Sequence, residues 1–221
     1  MAKKYDDMTA DELRPLLVAA ALSHVPFDGW TRKALFAGAD DMKLSHERAE
    51  LCFPDLGRGM LIFWLKDLDQ QHQQAIADAN LDDLKIREKI TACIHLRFAL
   101  NAEHKEAVHR AVTTLALPSM AGEAAKANWR MADTCWRGIG DTSTDYNYYT
   151  KRLTLSAVYS SSLIYWLSDT SEDHADTWAF IDRRIDNVMQ FEKVKAKVRQ
   201  ATANAPSLAR FLGRLRYGAS H

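Results

Sequence analysis

Acid, histidine and hydroxyl side chains are plentiful in this chain, yet few stand at spacings that chemistry uses. Glu88 and His95 lie seven residues apart, and His46 and Glu50 lie four apart on what reads as a short exposed helix. A di-metal site in a helical core needs Glu-x-x-His motifs paired across facing helices, and no such pair occurs. Neither a glycine-rich phosphate loop nor a Gly-x-Ser-x-Gly nucleophile elbow is present. Ser160, Ser161 and Ser162 fall inside a helical pattern, where hydroxyls bond back to the preceding turn. His24 reads as a turn-stabilising side chain. The expectation is a chain with no catalytic residue, no metal site and no cofactor.

The most informative block runs from Gly140 to Arg152: Gly-Asp-Thr-Ser-Thr-Asp-Tyr-Asn-Tyr-Tyr-Thr-Lys-Arg. Gly140 suits the left-handed end of one helix, and Thr142, Ser143, Thr144 and Asp145 suit the free N–H groups at the start of the next. Tyr146, Tyr148 and Tyr149 point in different directions on one turn, so at least one ring faces away from the core. Beside Lys151 and Arg152, an outward ring fits a protein interface, where aromatics and Arg carry much of the binding energy. A well-capped helix with one exposed ring explains the spacing equally well.

These residues need helices to position them. Leu13, Leu16, Leu17, Ala20 and Ala21 recur at three and four residues, predicting a helix over residues 9–23 whose start is blurred by Pro15. His24 to Trp30 reads as a turn, followed by short helices near residues 31–37 and 45–53, the latter stopped by Pro54. Three helices in this span have the outline of a helix-turn-helix unit. Residues 1–53, however, hold seven basic against nine acidic residues, and the segment in the recognition position, Leu44 to Glu50, contains two Glu. Phosphate neutralisation by Lys and Arg dominates DNA binding, so the charge opposes what the outline suggests.

Longer helices are predicted over residues 60–80, 84–100, 104–115, 120–137, 146–167 and 173–201, with no strand alternation and no low-complexity linker. The fold class is therefore all-α. Two late helices are apolar over wide arcs, the first along Leu155, Val158, Tyr159, Ser162, Leu163 and Trp166, the second along Trp178, Ile181, Ile185, Val188 and Met189. Most of these positions read as core, the rest as a dimer seam or the coat of an apolar cavity.

Charge is split along the chain. Lys and Arg number 29, as do Asp and Glu, but residues 193–221 carry seven basic residues and no acid, so the body stands at −7 and the tail at +7. Within that tail Leu208, Phe211, Leu212 and Leu215 form one stripe flanked by Arg210, Arg214 and Arg216, after a Pro206-Ser207 helix start. Anionic lipid attracts each basic residue by ~1 kcal/mol, and burying a Leu or Phe adds ~1.5–3 kcal/mol, so this helix suits reversible bilayer contact. A terminal helix docked on its own bundle is the competing reading.

With 47% hydrophobic residues, nine Gly and five Pro, the composition is that of a helix-rich globular chain. Cys52, Cys93 and Cys135 are too far apart for a zinc or disulfide framework, which fits a reducing compartment. No run approaches the ~18 apolar residues of a membrane span, and the acid-containing N-terminus has no signal-peptide pattern.

Gly140 to Arg152, the block Ala21 to Trp30 (Ala-Leu-Ser-His-Val-Pro-Phe-Asp-Gly-Trp), Lys85-Ile86-Arg87-Glu88, and Asp176 to Asp186 together resemble the ubiquinone (coenzyme Q) biosynthesis accessory protein family. The resemblance implies the fold of TetR-type regulators without DNA regulation. It implies a homodimeric, membrane-associated lipid-binding protein that presents polyprenyl quinone precursors to a partner di-iron hydroxylase. Carried over, the partner-facing patch would include Asp133, Tyr148, Tyr149 and Arg152, with Tyr148 and Arg152 expected at the surface. Tyr148 stands where family members often have Trp, which reduces contact area. The lipid site would lie between the helix carrying Trp129, Ala132 and Trp136 and the helix carrying Val158, Tyr159, Ser162, Leu163 and Trp166. The membrane arm would be Leu208, Arg210, Phe211, Leu212, Arg214, Leu215 and Arg216.

The expected organisation is a helix-turn-helix-like region at 1–55, a lipid-binding and dimerisation domain at 56–201 and an amphipathic helix at 202–221. The short N-terminus lacks the transit sequence of mitochondrial members, favouring a bacterial protein on the cytoplasmic side of the inner membrane. A ligand-responsive TetR-type transcriptional regulator is the alternative function.

Overall fold

The computed structural model describes Tyr5 and residues 7–188. These are helical and contain no strand, as the patterning predicts. The chain divides into two units, the first ending at Ile181 and the second spanning Asp182–His221. Of the second, residues 182–188 are described and are helical. The arm residues Leu208, Arg210, Phe211, Leu212, Arg214, Leu215 and Arg216 lie outside the described residues.

In the first unit α1 (Ala10–Ala21) opens on a capping box: Glu12 N donates to Thr9 Oγ1, and Thr9 N donates to the Glu12 carboxylate at 2.8 Å. Pro15 lies inside α1, which continues through it. The segment read as a turn contains one further helical turn, α2 (Val25–Asp28), too short to register as periodicity. Its end is set by Gly29 at φ 68°, in the left-handed region. α3 (Arg32–Asp41) and α4 (His46–Cys52) are capped by Thr31 and Ser45. α1 crosses α3 closely enough that a Cβ on Gly38 would stand 2.7 Å from Ala21 N. α5 (Leu56–Asp78) begins under this unit, where Gly57 is pressed against Trp30 and Thr31. The indole Nε1 of Trp30 donates to the Ala107 carbonyl at 3.1 Å, linking the first helices to α7.

The larger layer is formed by α5, α6 (Ile86–Asn101), α7 (Lys105–Leu115), α8 (Ala121–Gly138) and α9 (Tyr146–Ser168). Its core holds Met60, Leu61, Ile94, Phe98, Met131 and Trp166, each at most 1% exposed. Burial of such side chains is worth roughly 1.5–3 kcal/mol apiece and is the main force holding the bundle. A further helical run begins at residue 175. Asp169 fixes its entry by accepting from Ser171 N and Oγ at 2.8 and 2.6 Å and from Thr177 N at 2.9 Å. Burial pushes the Asp169 carboxyl up, but these Ser171 and Thr177 bonds outweigh it and hold the group below the usual carboxylate range.

Candidate functional site

The Gly140–Arg152 block folds into a charged knot between α8 and α9. Gly140 adopts φ 85°, closing α8 in the left-handed conformation expected of it. Asp145, the N-cap of α9, accepts from Asn147 N at 2.9 Å. Tyr146 and Tyr149 face outward, 72% and 57% exposed, so two rings leave the core where at least one was expected to.

Arg152 departs from the surface position expected of it. It is 1% exposed and lies between two carboxylates, Nε 2.6 Å from Asp133 Oδ1 and Nη1 3.2 Å from Asp141 Oδ2. Its guanidinium covers the Tyr148 ring, 3.6 Å from the centroid, and the Tyr148 hydroxyl donates to Asp133 at 3.3 Å. Arg137 closes the other side of Asp133 at 2.8 Å, and Lys151 reaches Asp141 at 2.7 Å. Sequence placed Arg152 one residue after Lys151 on a polar turn; the helical twist carries it inward, and Asp133 and Asp141 compensate its charge. Burial pushes Asp141 up, but hydrogen bonds from Lys151, Ser143 and Arg152 outweigh it and hold the carboxyl at about 2. Asp133 is lowered in the same way, burial being opposed by Arg152 and Arg137. Of the expected patch, Tyr149 is exposed, Tyr148 and Asp133 are half-buried, and Arg152 is interior. Trp129 extends the patch, its ring centroid 6.1 Å from that of Tyr148 and 6.2 Å from that of Tyr149.

A cavity of about 370 Å³ opens among α5, α6, α7, α8 and α9. Its wall is apolar over most of its area, with Trp64 and Leu68 from α5, Val108 and Leu115 from α7, and Ala124 and Ala127 from α8. Small residues create the room: alanines at positions 111, 124 and 127 leave volume that larger side chains would occupy. α9 contributes Tyr159 and Leu163, both expected at a lipid site. Ala132, Val158, Ser162 and Trp166 are buried away from this wall, and Trp136 is half-buried with its Nε1 donating to the Lys151 carbonyl at 3.2 Å. The cavity therefore draws on α5, α6 and α7, which periodicity alone assigned to plain core. The only advance signal was alanine enrichment on an otherwise amphipathic α7 and α8.

Polar groups on the same wall are few: Arg97, Asn101, Asn128 and Ser160. Arg97 donates to the Leu68 carbonyl at 2.8 Å and pairs with Asp69 at 2.9 Å, while Arg130 binds the other Asp69 oxygen at 2.7 Å. The Arg97–Asp69 approach is a charge contact without hydrogen-bond alignment. Below it, His72 is fully buried with Nε2 2.8 Å from the Cys93 carbonyl. Burial and the Arg97 charge push its pKa down to about 4.

Among the described residues no group of three His, Cys, Asp or Glu could hold a metal, and no helix is long and apolar enough to cross a membrane. The one Glu-x-x-His motif in the chain, Glu106 and His109, is an exposed pair 3.6 Å apart on α7.

Comparison with known proteins agrees with this architecture. The COQ9 family model matches residues 121–192, spanning the polar knot and α9. The ubiquinone biosynthesis protein COQ9, mitochondrial, of Rattus norvegicus is 27% identical over 200 residues, covering 88% of this chain and 64% of its own length. The Homo sapiens protein of the same name is 26% identical, covering 88% and 63%. COQ9-B of Xenopus laevis is 29% identical over 83% of this chain and 65% of its own. The chain thus spans just under two thirds of the length of these curated relatives. In structure it is similar to a TetR transcriptional regulator from Nitrosomonas europaea ATCC 19718, with TM-score 0.66 and 18% identity over 80% of this chain and 97% of that one. The all-α fold is therefore that of TetR regulators, and along most of its length the sequence is similar to the COQ9 proteins of ubiquinone biosynthesis.

Proposed function

We propose that this protein is a non-enzymatic, lipid-binding accessory factor of ubiquinone biosynthesis that shelters isoprenoid quinone intermediates and presents them to a di-iron hydroxylase. The observation that carries this reading is the apolar cavity beneath α9, in a chain similar to COQ9 proteins. Enclosing an isoprenoid tail removes hydrocarbon from water at ~0.8 kcal/mol per CH₂, so the binding needs no covalent chemistry. The exposed face of α9 supplies a docking surface: Tyr149, Leu153 and Ile164 are 57%, 60% and 65% exposed, an apolar stripe that also suits the dimer contact of a homodimer. The basic amphipathic tail would bring the body to the inner membrane as a peripheral protein on the cytoplasmic side. Native mass spectrometry of protein purified from cells with an intact pathway tests the reading. A co-purifying isoprenoid or phospholipid is expected, and recovery of neither would overturn it.

The TetR-like fold favours one other reading, a ligand-responsive regulator. In α4 Glu47 is exposed and Arg48 turns inward, donating to the Met8 carbonyl at 2.6 Å. A groove-facing helix so equipped is repelled by phosphate. Duplex DNA binding that weakens steeply with salt near physiological ionic strength would revive the regulator; none is expected.

A further inference from the structure

On the wall of the apolar cavity three side chains, Arg97, Asn101 and Asn128, carry a buried polar atom with no hydrogen-bond partner among the described residues, and two of them share one helix face. Asn101, 1% exposed at the end of α6, lines the cavity wall. Its Nδ2 donates to the Arg97 carbonyl at 2.9 Å. A backbone carbonyl only accepts, so the amide orientation is fixed and Oδ1 is the atom left over. That oxygen has no hydrogen-bond partner among the described residues. One turn earlier on the same helix Arg97, 3% exposed, also lines the cavity, and its Nε likewise lacks a partner among them. An acceptor and a donor thus stand at i+4 and i on one helix face. A buried polar atom left unpaired is costly, and a ligand that pairs it gains that cost back.

We infer that the cavity selects an apolar molecule bearing a hydroxyl, a phenol or hydroquinone rather than a quinone, with its O–H donating to Asn101 Oδ1 and its oxygen accepting from Arg97 Nε. The inference rests on the proposed lipid-binding role and specifies which oxidation and ionisation state of the ring is held. A quinone carbonyl, a carboxylate or a phosphate offers acceptors only and leaves Oδ1 unpaired. The Arg97 guanidinium is fixed at its other nitrogens, Nη1 donating to the Leu68 carbonyl at 2.8 Å and Nη2 standing 2.9 Å from Asp69, which Arg130 in turn meets at 2.7 Å, so its Nε is pre-positioned and the ligand need not order it.

Isothermal titration of the full chain with 4-pentylphenol and with its methyl ether, 4-pentylanisole, tests this. The two probes match in tail and ring, and only the first can donate. The phenol is expected to bind roughly tenfold or more tightly than the ether. Asn101→Leu, which removes the acceptor at similar volume, is expected to abolish that preference while the ether still binds. Equal affinities in the unaltered protein would overturn hydroxyl selection and leave the apolar cavity standing. Binding of neither probe would overturn both. An undiminished preference in folded Asn101→Leu would show that the hydroxyl is read elsewhere; if that variant does not fold, the comparison of the two probes on the unaltered protein decides alone.

Discussion

The guanidinium of Arg152 lies flat over the ring of Tyr148, 3.6 Å from its centre, and together they occupy the space between Asp133 and Asp141. The pair joins three segments, since Asp133 belongs to α8, Asp141 to the connection and Arg152 to α9. A cation in this position is structural, and its removal leaves two carboxylates without their shared partner.

Arg152→Ala is accordingly expected to destabilise the fold by about 3–5 kcal/mol, the range for deleting one partner of a buried ion pair. Tyr149→Ala, at an exposed ring, should change stability by no more than about 0.5 kcal/mol. Urea unfolding of both variants checks the contrast. Hydroxylase capture adds the functional arm: Tyr149→Ala should weaken it in a protein that is still folded.

Of the side chains that set the response to acid, His72 and Asp141 act in different windows. His72 has its pKa lowered to about 4 by burial and by Arg97, so the unfolded chain binds a proton that the folded chain refuses. Its stabilising contribution is full above about pH 6.5 and is lost as pH falls toward 4, amounting to about 3 kcal/mol. His72→Gln should flatten the stability profile across that window. Asp141, held at about 2, contributes stability above its unfolded value near 4 that is lost between about pH 4 and 2. Asp141→Asn should diminish the lower step, which the lowered Asp133 and Asp169 share, and leave the upper one unchanged.

Three glycines give graded outcomes for a single added methyl. At Gly57 a Cβ would stand 2.3 Å from the Trp30 carbonyl oxygen, a backbone atom, and Gly57→Ala should cost about 3 kcal/mol or more. At Gly138 the obstruction is Ile76 Cγ2 at 2.7 Å, a side chain that can turn, and about 1–2 kcal/mol is expected. Gly122 faces nothing within 4 Å on α8, so Gly122→Ala should stabilise by about 0.5–1 kcal/mol. Thermal melts of the three variants give the ranking directly.

For the tail, Leu208→Glu, Phe211→Glu and Leu215→Glu combined should abolish liposome pelleting with the melting temperature unchanged. A large fall in melting temperature would identify the segment as part of the packed body.

α1 and the helices from α3 to α9 were legible because each buries one stripe, and α1, α3, α4 and α9 carry caps, Thr9, Thr31, Ser45 and Asp145, that sequence displays directly. α2 was not, since four residues cannot show a 3.6-residue period. Gly140 and the outward tyrosines were also legible, because φ preference and helical twist are local properties. The interior position of Arg152 was hidden: its burial depends on two carboxylates, one 19 residues earlier and one 11 earlier, meeting it in space. The cavity was hidden for a similar reason. Tyr159 and Leu163 lie on a stripe that sequence exposes, but Trp64, Asn101 and Val108 reach the same wall from three other helices, and packing between helices leaves no period in any one of them.

The hydrogen bond from the Trp30 indole to the Ala107 carbonyl has a mechanical meaning. Val108, the next residue of that helix, and Ala111, one turn on, line the cavity, so the N-terminal helices are bolted to the chamber's own scaffolding. What looks like a reading head is a buttress. Loosening that bolt with Trp30→Phe should be felt as a softer chamber long before α1 to α4 come apart.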